Sequence, residues 1–308
     1  MTQVTKNQHY VPRMYLREFE AKPKHIYVFD KQMDLNSAKN CNCREIKALA
    51  SALHFYDLPT TLDKEKPQHF QAVEKELSRI EGVAAGFIRG VNKGCLKLRG
   101  TAFDPTAYNR PEIRVYENLA AYTWLQYSRT ESGRELIRQA MDLMAEFEIA
   151  EAVNKVAPGR NPADFKYQLN ENWVKYRHIE AMFDFETFAP LFYKRIWRFG
   201  INSTDEPFWT SDNPVVLINQ DGDSRDVFLA DRGSCVTFPL SPFVVLLMYD
   251  DGVFNAMSEL DGKPMHVPSD LVAILNRAQH AQSRRIVMSA KPFHKQLLQQ
   301  LTNNVSVE

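Results

Sequence analysis

The sequence lacks the common signatures of enzymes that handle phosphates, dinucleotides, acyl groups or peptides. No GxxxxGK[ST], GxGxxG, GxSxG or HExxH occurs in it, which removes the glycine-rich cradles, the nucleophile elbow and the zinc-protease helix. Net charge is also missing, since 38 Lys and Arg cancel 38 Asp and Glu. No global positive field draws the chain onto nucleic acid or an anionic membrane, so any such binding must be local. Cysteines are few: Cys41, Cys43, Cys95 and Cys235. One residue between the first two is a poor spacing for a disulfide or a zinc knuckle, and we read all four as reduced thiols of a cytoplasmic protein. No window approaches the roughly 18 to 20 apolar residues that cross a bilayer. The opening MTQVTKNQHY has no apolar signal core, so no membrane partner is expected. Internal repeats and low-complexity tracts are absent too.

What is present is the composition of an ordinary folded protein, 44% hydrophobic and 25% charged over 308 residues, far from the signature of disorder. The alternating run IYVFDK, at 26–31, reads as a strand. Apolar residues at three- and four-residue steps predict a helix over 68–90, with Phe70, Val73, Leu77, Ile80, Ala84, Phe87 and Ile88 on its stripe. After a break at 94–111, residues 112–153 read as two helices split near 130–133. Another breaker, APGRNP, precedes a helix over 164–197 that is interrupted or ended near Pro190. After Arg198 come FGINST, PFWTS, PVVLI, DVFLA, CVTFPL and VVLLMYD, short β-branched and aromatic runs that read as strands. Helical spacing resumes over 268–283, with Ser269 as a cap, and RIVMS reads as a late strand whose sheet IYVFDK would share. The expected class is α+β: a largely helical first two thirds packed on a mixed or antiparallel sheet formed mainly by the C-terminal third. One domain with two lobes, 1–198 and 199–300, follows from that change of character.

Three segments resist a purely structural reading. In NQHYVPRMYLREF, residues 7–19, Gln8, His9, Tyr10, Arg13 and Tyr15 crowd around Pro12, which holds Val11 extended. Such a stretch can lay polar groups along a cleft, or it can anchor a core through polar tips bonded to backbone. In WLQYSRTESGR, Gln126 and Arg129 share a helical face, and the planar fork of Arg129 suits a phosphate or an internal carboxylate such as Glu74 or Glu81. Thr130 is placed to cap whatever follows. In FWTSDNP, Asp212 and Asn213 make a tight turn between strands, where they bond nearby amides or hold a metal or a proton-transfer partner. Glu74 and Glu81 stand seven apart on one helical face, which we read as solvated. The stretch 271–307 contains Arg277, Arg284, Arg285, Lys291 and Lys295 and no acidic residue, a local positive patch that also balances acidic surface such as 146–151.

At these residues the sequence resembles a bacterial domain-of-unknown-function family whose members open with a Gln-His-Tyr-Val-Pro and Tyr-Leu signature. The matching positions are Gln8, His9, Tyr10, Val11, Pro12, Tyr15, Leu16 and Phe19. Further ones are Phe55-Tyr56, EKELSRIE at 74–81, Gln126, Arg129-Thr130, Ser211-Asp212-Asn213-Pro214 and Pro239-Leu240-Ser241-Pro242. The resemblance implies an activity not yet assigned, with some relatives associated with defence against phage. Relatives often carry Pro where this chain has Glu131, which lets the helix of Arg129 continue here.

Two readings follow. In the first the chain is a defence effector, a nuclease or phosphodiesterase-like hydrolase acting on nucleic acid or nucleotides. His9 is then the general acid or base, Arg129 the phosphate clamp, and Asp212 the group that orients His9 or holds a divalent metal ion as cofactor. Gln8, Tyr10, Gln126 and Asn213 bind substrate. In the second the chain is a non-catalytic sensor or binding protein, and the same groups form a buried network joining helices to sheet.

Overall fold

In the computed structural model, which describes residues 6–37, 39–57 and 71–305, the chain begins extended. Asn7–His9 (β1) leads to the short helix Arg13–Leu16 (α1), and a 3₁₀ turn, Arg17–Phe19, completes the segment. Pro12 stands at the junction with ψ 139 and ends the extended stretch, as its fixed φ and missing N–H favour at a helix start. His25–Asp30 (β2), Asn42–Glu45 (β3) and Ser51–Leu53 (β4) follow, and β4 pairs antiparallel with β1. Val11, Tyr15, Leu16 and Phe19 are fully buried. The Tyr15 hydroxyl donates to the Pro239 carbonyl at 2.7 Å and lies 2.8 Å from Thr210 Oγ1, fastening the opening segment to distant strands.

The helical part runs Ala72–Leu96 (α2), Ile113–Ser128 (α3), Glu131–Val156 (α4), Glu171–Phe183 (α5), Phe185–Phe188 (α6) and Pro190–Tyr193 (α7). Among the described residues the first of these begins at Ala72, and it runs on to Leu96; Gln68 and Phe70 lie outside the described residues. α3 does not continue through Glu131. Thr130 caps a new helix by accepting the Gly133 N–H at 3.1 Å, and Glu131 takes the first helical position, where proline is also accepted. The corner is so tight that a Cβ on Gly133 would lie 2.0 Å from the Ser128 carbonyl oxygen. The helix expected over 164–197 is instead α5, α6 and α7, with Asn170 capping the first and Asp184 the second. Ile196 and Trp197 already belong to a strand.

Strands then dominate: Ile196–Asn202 (β5), Thr210–Ser211 (β6), Val216–Ile218 (β7), Cys235–Ser241 (β8) and Val244–Tyr249 (β9). After the short helix Asp251–Phe254 (α8) come Lys263–Val267 (β10), Ser269–Gln282 (α9), Ile286–Ser289 (β11) and Lys295–Val305 (α10). DVFLA is not a strand: residues 226–230 form turns and loop, leaving Phe228 exposed. Ser269 is the first helical residue of α9 and makes no side-chain cap. β10 came with no alternating pattern, because Pro264 and the half-exposed edge position obscure it.

A five-stranded mixed sheet has the order β10-β5-β9-β8-β7, parallel only between β10 and β5. β2 shares a sheet with β11, as expected of IYVFDK and RIVMS, but it is a second sheet, β3-β2-β11-β6, antiparallel throughout. The lobe boundary expected at 198 falls inside strand β5. Both faces of the five-stranded sheet are covered, which explains why β9 reads as a continuous apolar run. Leu246 and Met248 belong to one buried cluster with Leu77, Ile88 and Leu119 of the helical part, whereas Val245 and Leu247 belong to another with Val272 and Leu275 of α9. This is the α+β arrangement expected from composition and pattern. Among the described residues no helix is long and apolar enough to cross a membrane, and the four cysteines are free.

The turn after β6 is locked to the start of β11 by Asp212, whose carboxylate accepts the backbone N–H groups of Arg284, Arg285 and Ile286 at 2.9, 2.7 and 2.9 Å. Replacing it leaves three amides without partners where water has little access, so Asp212→Ala is expected to lower unfolding free energy by about 3 kcal/mol or more. Urea unfolding measures this; a loss under about 1 kcal/mol would show that the clasp contributes little.

Candidate functional site around His9

Extended backbone sends alternate side chains to opposite faces, and β1 obeys that rule. Gln8 points inward, where its amide donates to Asp57 Oδ1 at 2.7 Å and its oxygen accepts the Tyr56 N–H at 2.6 Å. Asn7 and His9 point the other way. Arg13 and Arg17, four apart along the helical turns that follow, extend the same outer face. Together they border an open hollow of about 750 Å³. Lys47 enters from the 3₁₀ turn Ile46–Ala48, and α2 contributes Glu74, Ser78 and Glu81 on successive turns.

The hollow has unusual proton chemistry. Burial and the neighbouring Arg13 push the His9 imidazole down to about 4, so the ring is neutral at physiological pH. Its Nε2 lies 3.2 Å from the Lys47 carbonyl, which requires the proton on Nε2 and leaves the lone pair on Nδ1. Burial raises the Glu74 carboxyl above the ordinary carboxylate range; Glu81 and Asp57 add to this and Arg129 opposes it. Oε2 of Glu74 is buried without a hydrogen-bond partner. The α2 carboxylates are thus not the solvated pair expected from their spacing.

Arg129 stands behind this hollow and not in it. The side chain is 1% exposed. Nη1 donates to Glu81 Oε1 at 2.9 Å, Nη2 to the His9 carbonyl at 2.9 Å, and Nε to the Tyr56 hydroxyl at 3.3 Å. Tyr56 returns a bond to the Arg129 carbonyl at 2.9 Å. The guanidinium fork, expected to clamp a phosphate, is occupied by internal acceptors, Glu81 among them. Tyr10 is buried with its ring 5.3 Å from Phe55. Gln126 donates to the Tyr10 carbonyl at 3.3 Å and keeps a buried, unpartnered oxygen.

The Asp212 segment meets the same junction from the far side. Thr130 Oγ1 is 3.4 Å from Asn213 Oδ1, and Asn213 donates to the Gln282 carbonyl at 3.2 Å. Asn213 borders a different hollow, with Gly133, Leu136, Val227 and Phe228. Asp212 is 4% exposed, its two oxygens bonded to amide N–H groups, and burial raises its carboxyl despite those bonds. That leaves it no role orienting His9 by direct contact. Among the described residues no group of three or more His, Cys, Asp or Glu is placed to hold a metal ion, so the divalent-ion expectation has no ligand set in this part of the chain. Arg17 and Lys47 were not singled out in the sequence. The four-residue step from Arg13 signals the first; nothing local signals the second, which reaches the hollow only through the pairing of β1 with β4.

Because Glu81 and the His9 carbonyl depend on one buried guanidinium, Arg129→Met is expected to destabilise the protein by about 3 kcal/mol, within the range for breaking a buried ion pair. Arg129→Lys should recover only part of this, since an ammonium lacks the planar fork that serves three acceptors. Denaturant unfolding of both variants checks the order; equal stability of Lys and wild type would contradict it.

Comparison with known proteins adds a family and no activity. Residues 7–292 match the model described as Protein of unknown function (DUF4238). That span takes in β1, the α3–α4 corner and the Asp212 turn. No curated protein and no solved structure matches the chain. With nearly its whole length covered by that model, the chain belongs to the family of proteins of unknown function DUF4238.

Proposed function

We propose that the chain cleaves phosphodiester bonds of nucleic acid or nucleotides in the His9 hollow, as an effector of defence against phage. The observation that carries this reading is a neutral imidazole and a carboxyl of raised pKa in one hollow with three cations, Arg13, Arg17 and Lys47. In-line cleavage needs a group to take a proton from the attacking oxygen, a group to give one to the leaving oxygen, and positive charge at the phosphate. His9 Nδ1 takes the proton, Glu74 gives its own, and the cations bind the non-bridging oxygens. The new P–O bond forms as the old one breaks, and the two proton transfers balance. Arg129 positions the site through the His9 carbonyl and Glu81, in place of the clamp role. Asp212 holds the β6–β11 joint in place of a metal. The link to defence comes from the relatives that the opening signature resembles.

One observation favours the second reading, a sensor that binds a phosphate-bearing ligand without turning it over: Gln8, Arg129, Asp212 and Asn213 all spend their polar groups on internal partners. Cleavage separates the two. His9→Ala and Glu74→Gln are each expected to lower cleavage of RNA, DNA or cyclic nucleotides by roughly 10²–10⁴-fold while leaving the melting temperature nearly unchanged, and to abolish protection in a phage-survival assay. Arg13→Ala and Lys47→Ala should raise KM. Intact substrates with wild-type protein, alongside saturable nucleotide binding, would favour the sensor.

The pH profile is a further check. His9 must be neutral, so kcat/KM should rise as pH increases through about 4. Glu74 must be protonated, so activity should fall as pH passes its raised pKa. Removal of the acid limb by His9→Ala and of the alkaline limb by Glu74→Gln, in whatever residual activity persists, assigns them; a flat profile rules this pair out.

A further inference from the structure

The polar groups of the His9 hollow can be accounted for one by one. β1 brings an imidazole whose Nε2 faces the Lys47 carbonyl at 3.2 Å, so the lone pair sits on Nδ1. From α2 comes the half-buried Glu74 carboxyl, with Oε2 bonded to nothing. Arg13 and Arg17 form no ion pair among the described residues, so their charge is available to an anion. Lys47 adds a third cation, although it also pairs with Glu45 at 3.0 Å. The other groups are already committed or unactivated. Glu81 holds the Arg129 guanidinium, and the Asn7 amide donates to Ser51 Oγ at 2.9 Å. The Ser78 hydroxyl is exposed and bonded to no base among the described residues. A base, an acid and cations are in place, but no side chain is set up to attack phosphorus or to hold a water against it.

Resting on the cleavage reading above, we propose that the substrate is RNA and that the attacking oxygen is its own 2′-hydroxyl, next to the scissile phosphate. His9 Nδ1 removes the hydroxyl proton as the 2′-oxygen bonds to phosphorus. The bond from phosphorus to the 5′-oxygen breaks, and that oxygen takes the Glu74 proton. Arg13 and Arg17 neutralise the non-bridging oxygens. The products are a 2′,3′-cyclic phosphate and a 5′-hydroxyl. His9 is left as an imidazolium and Glu74 as a carboxylate, and both exchange protons with water to reset. A positioned internal nucleophile acts at an effective molarity of about 10⁵–10⁸ M, against about 55 M for water, a gain of at least about 10³-fold. That gain asks nothing more of the protein, whereas attack by water needs a further group to place it. The 2′-hydroxyl is also the group by which a protein tells RNA from DNA.

The full chain is tested on a single-stranded RNA of mixed sequence, on the same sequence as DNA, and on its 2′-O-methylated form. RNA should be cleaved at least about 10³-fold faster than either of the others, with 2′,3′-cyclic phosphate and 5′-hydroxyl ends by mass spectrometry. Glu74→Gln should lose roughly 10²-fold or more on RNA but little on ribonucleoside 3′-(nitrophenyl phosphates), whose nitrophenolate leaves without a proton, whereas His9→Ala should fail on both. A merely structural Glu74 would depress both substrates equally, and that result would remove the step written here. Cleavage of the DNA strand at a similar rate, or 5′-phosphate ends from RNA, would overturn the proposal and leave the broader cleavage reading standing. No cleavage of any strand would overturn both.

Discussion

A single buried cation holds the meeting point of four stretches of chain. The Arg129 guanidinium bonds the carbonyl of His9, the carboxylate of Glu81 and the hydroxyl of Tyr56, and Tyr56 bonds back to the Arg129 carbonyl. A charge at this depth is tolerated only where nearly every donor has an acceptor. The surrounding geometry is constrained in return: α2 must present Glu81, α3 must end at Ser128, and β1 must turn its carbonyl inward at His9. The polar hollow on the other side of β1 takes its shape from those constraints.

The same corner joins the helical part to the sheets. Gly133 admits the close passage of Ser128, Thr130 starts α4 and reaches Asn213, and the Asp212 carboxylate ties the β6 turn to β11. Tyr15 adds a link from α1 to Thr210 and Pro239. Neutral side chains could bridge some of these gaps, but a carboxylate accepting three N–H groups and an arginine serving three acceptors fix direction as well as distance. That explains a hollow built on secondary-structure elements and two 3₁₀ turns, where side chains are held more firmly than on long loops.

Much of this was legible in the sequence, for identifiable reasons. The helix stripe of α2, the Thr130 cap and strands β5, β8 and β9 follow from periodicity and capping, which are local. The role of Arg129 was half visible: its pairing with Glu81 was one of two alternatives, and only burial decides between a carboxylate and a ligand phosphate. DVFLA misled because Val227 and Leu229 pack against the main core from a loop, without a neighbouring strand, while Phe228 stays exposed. The hollow itself was least legible. His9 and Arg13 came from a compact segment, but Lys47 and Glu74 reach the same hollow through the β1–β4 pairing and the docking of α2, from 34 to 65 residues away, which no local pattern encodes.

The central strand pair of the second sheet joins the two ends of the chain. Asp30 on β2 receives the Arg285 guanidinium at 2.9 to 3.2 Å, across 255 residues of sequence. At ribosomal speeds of roughly 5 to 20 residues per second, β2 leaves the exit tunnel on the order of ten to fifty seconds before β11 is made. During that interval Val28 and Phe29 have no strand on one side, and the Asp30 carboxylate lacks its arginine. The sheet closes last, so the nascent chain carries an open, apolar strand edge for most of its synthesis, the condition under which cells rely on chaperones.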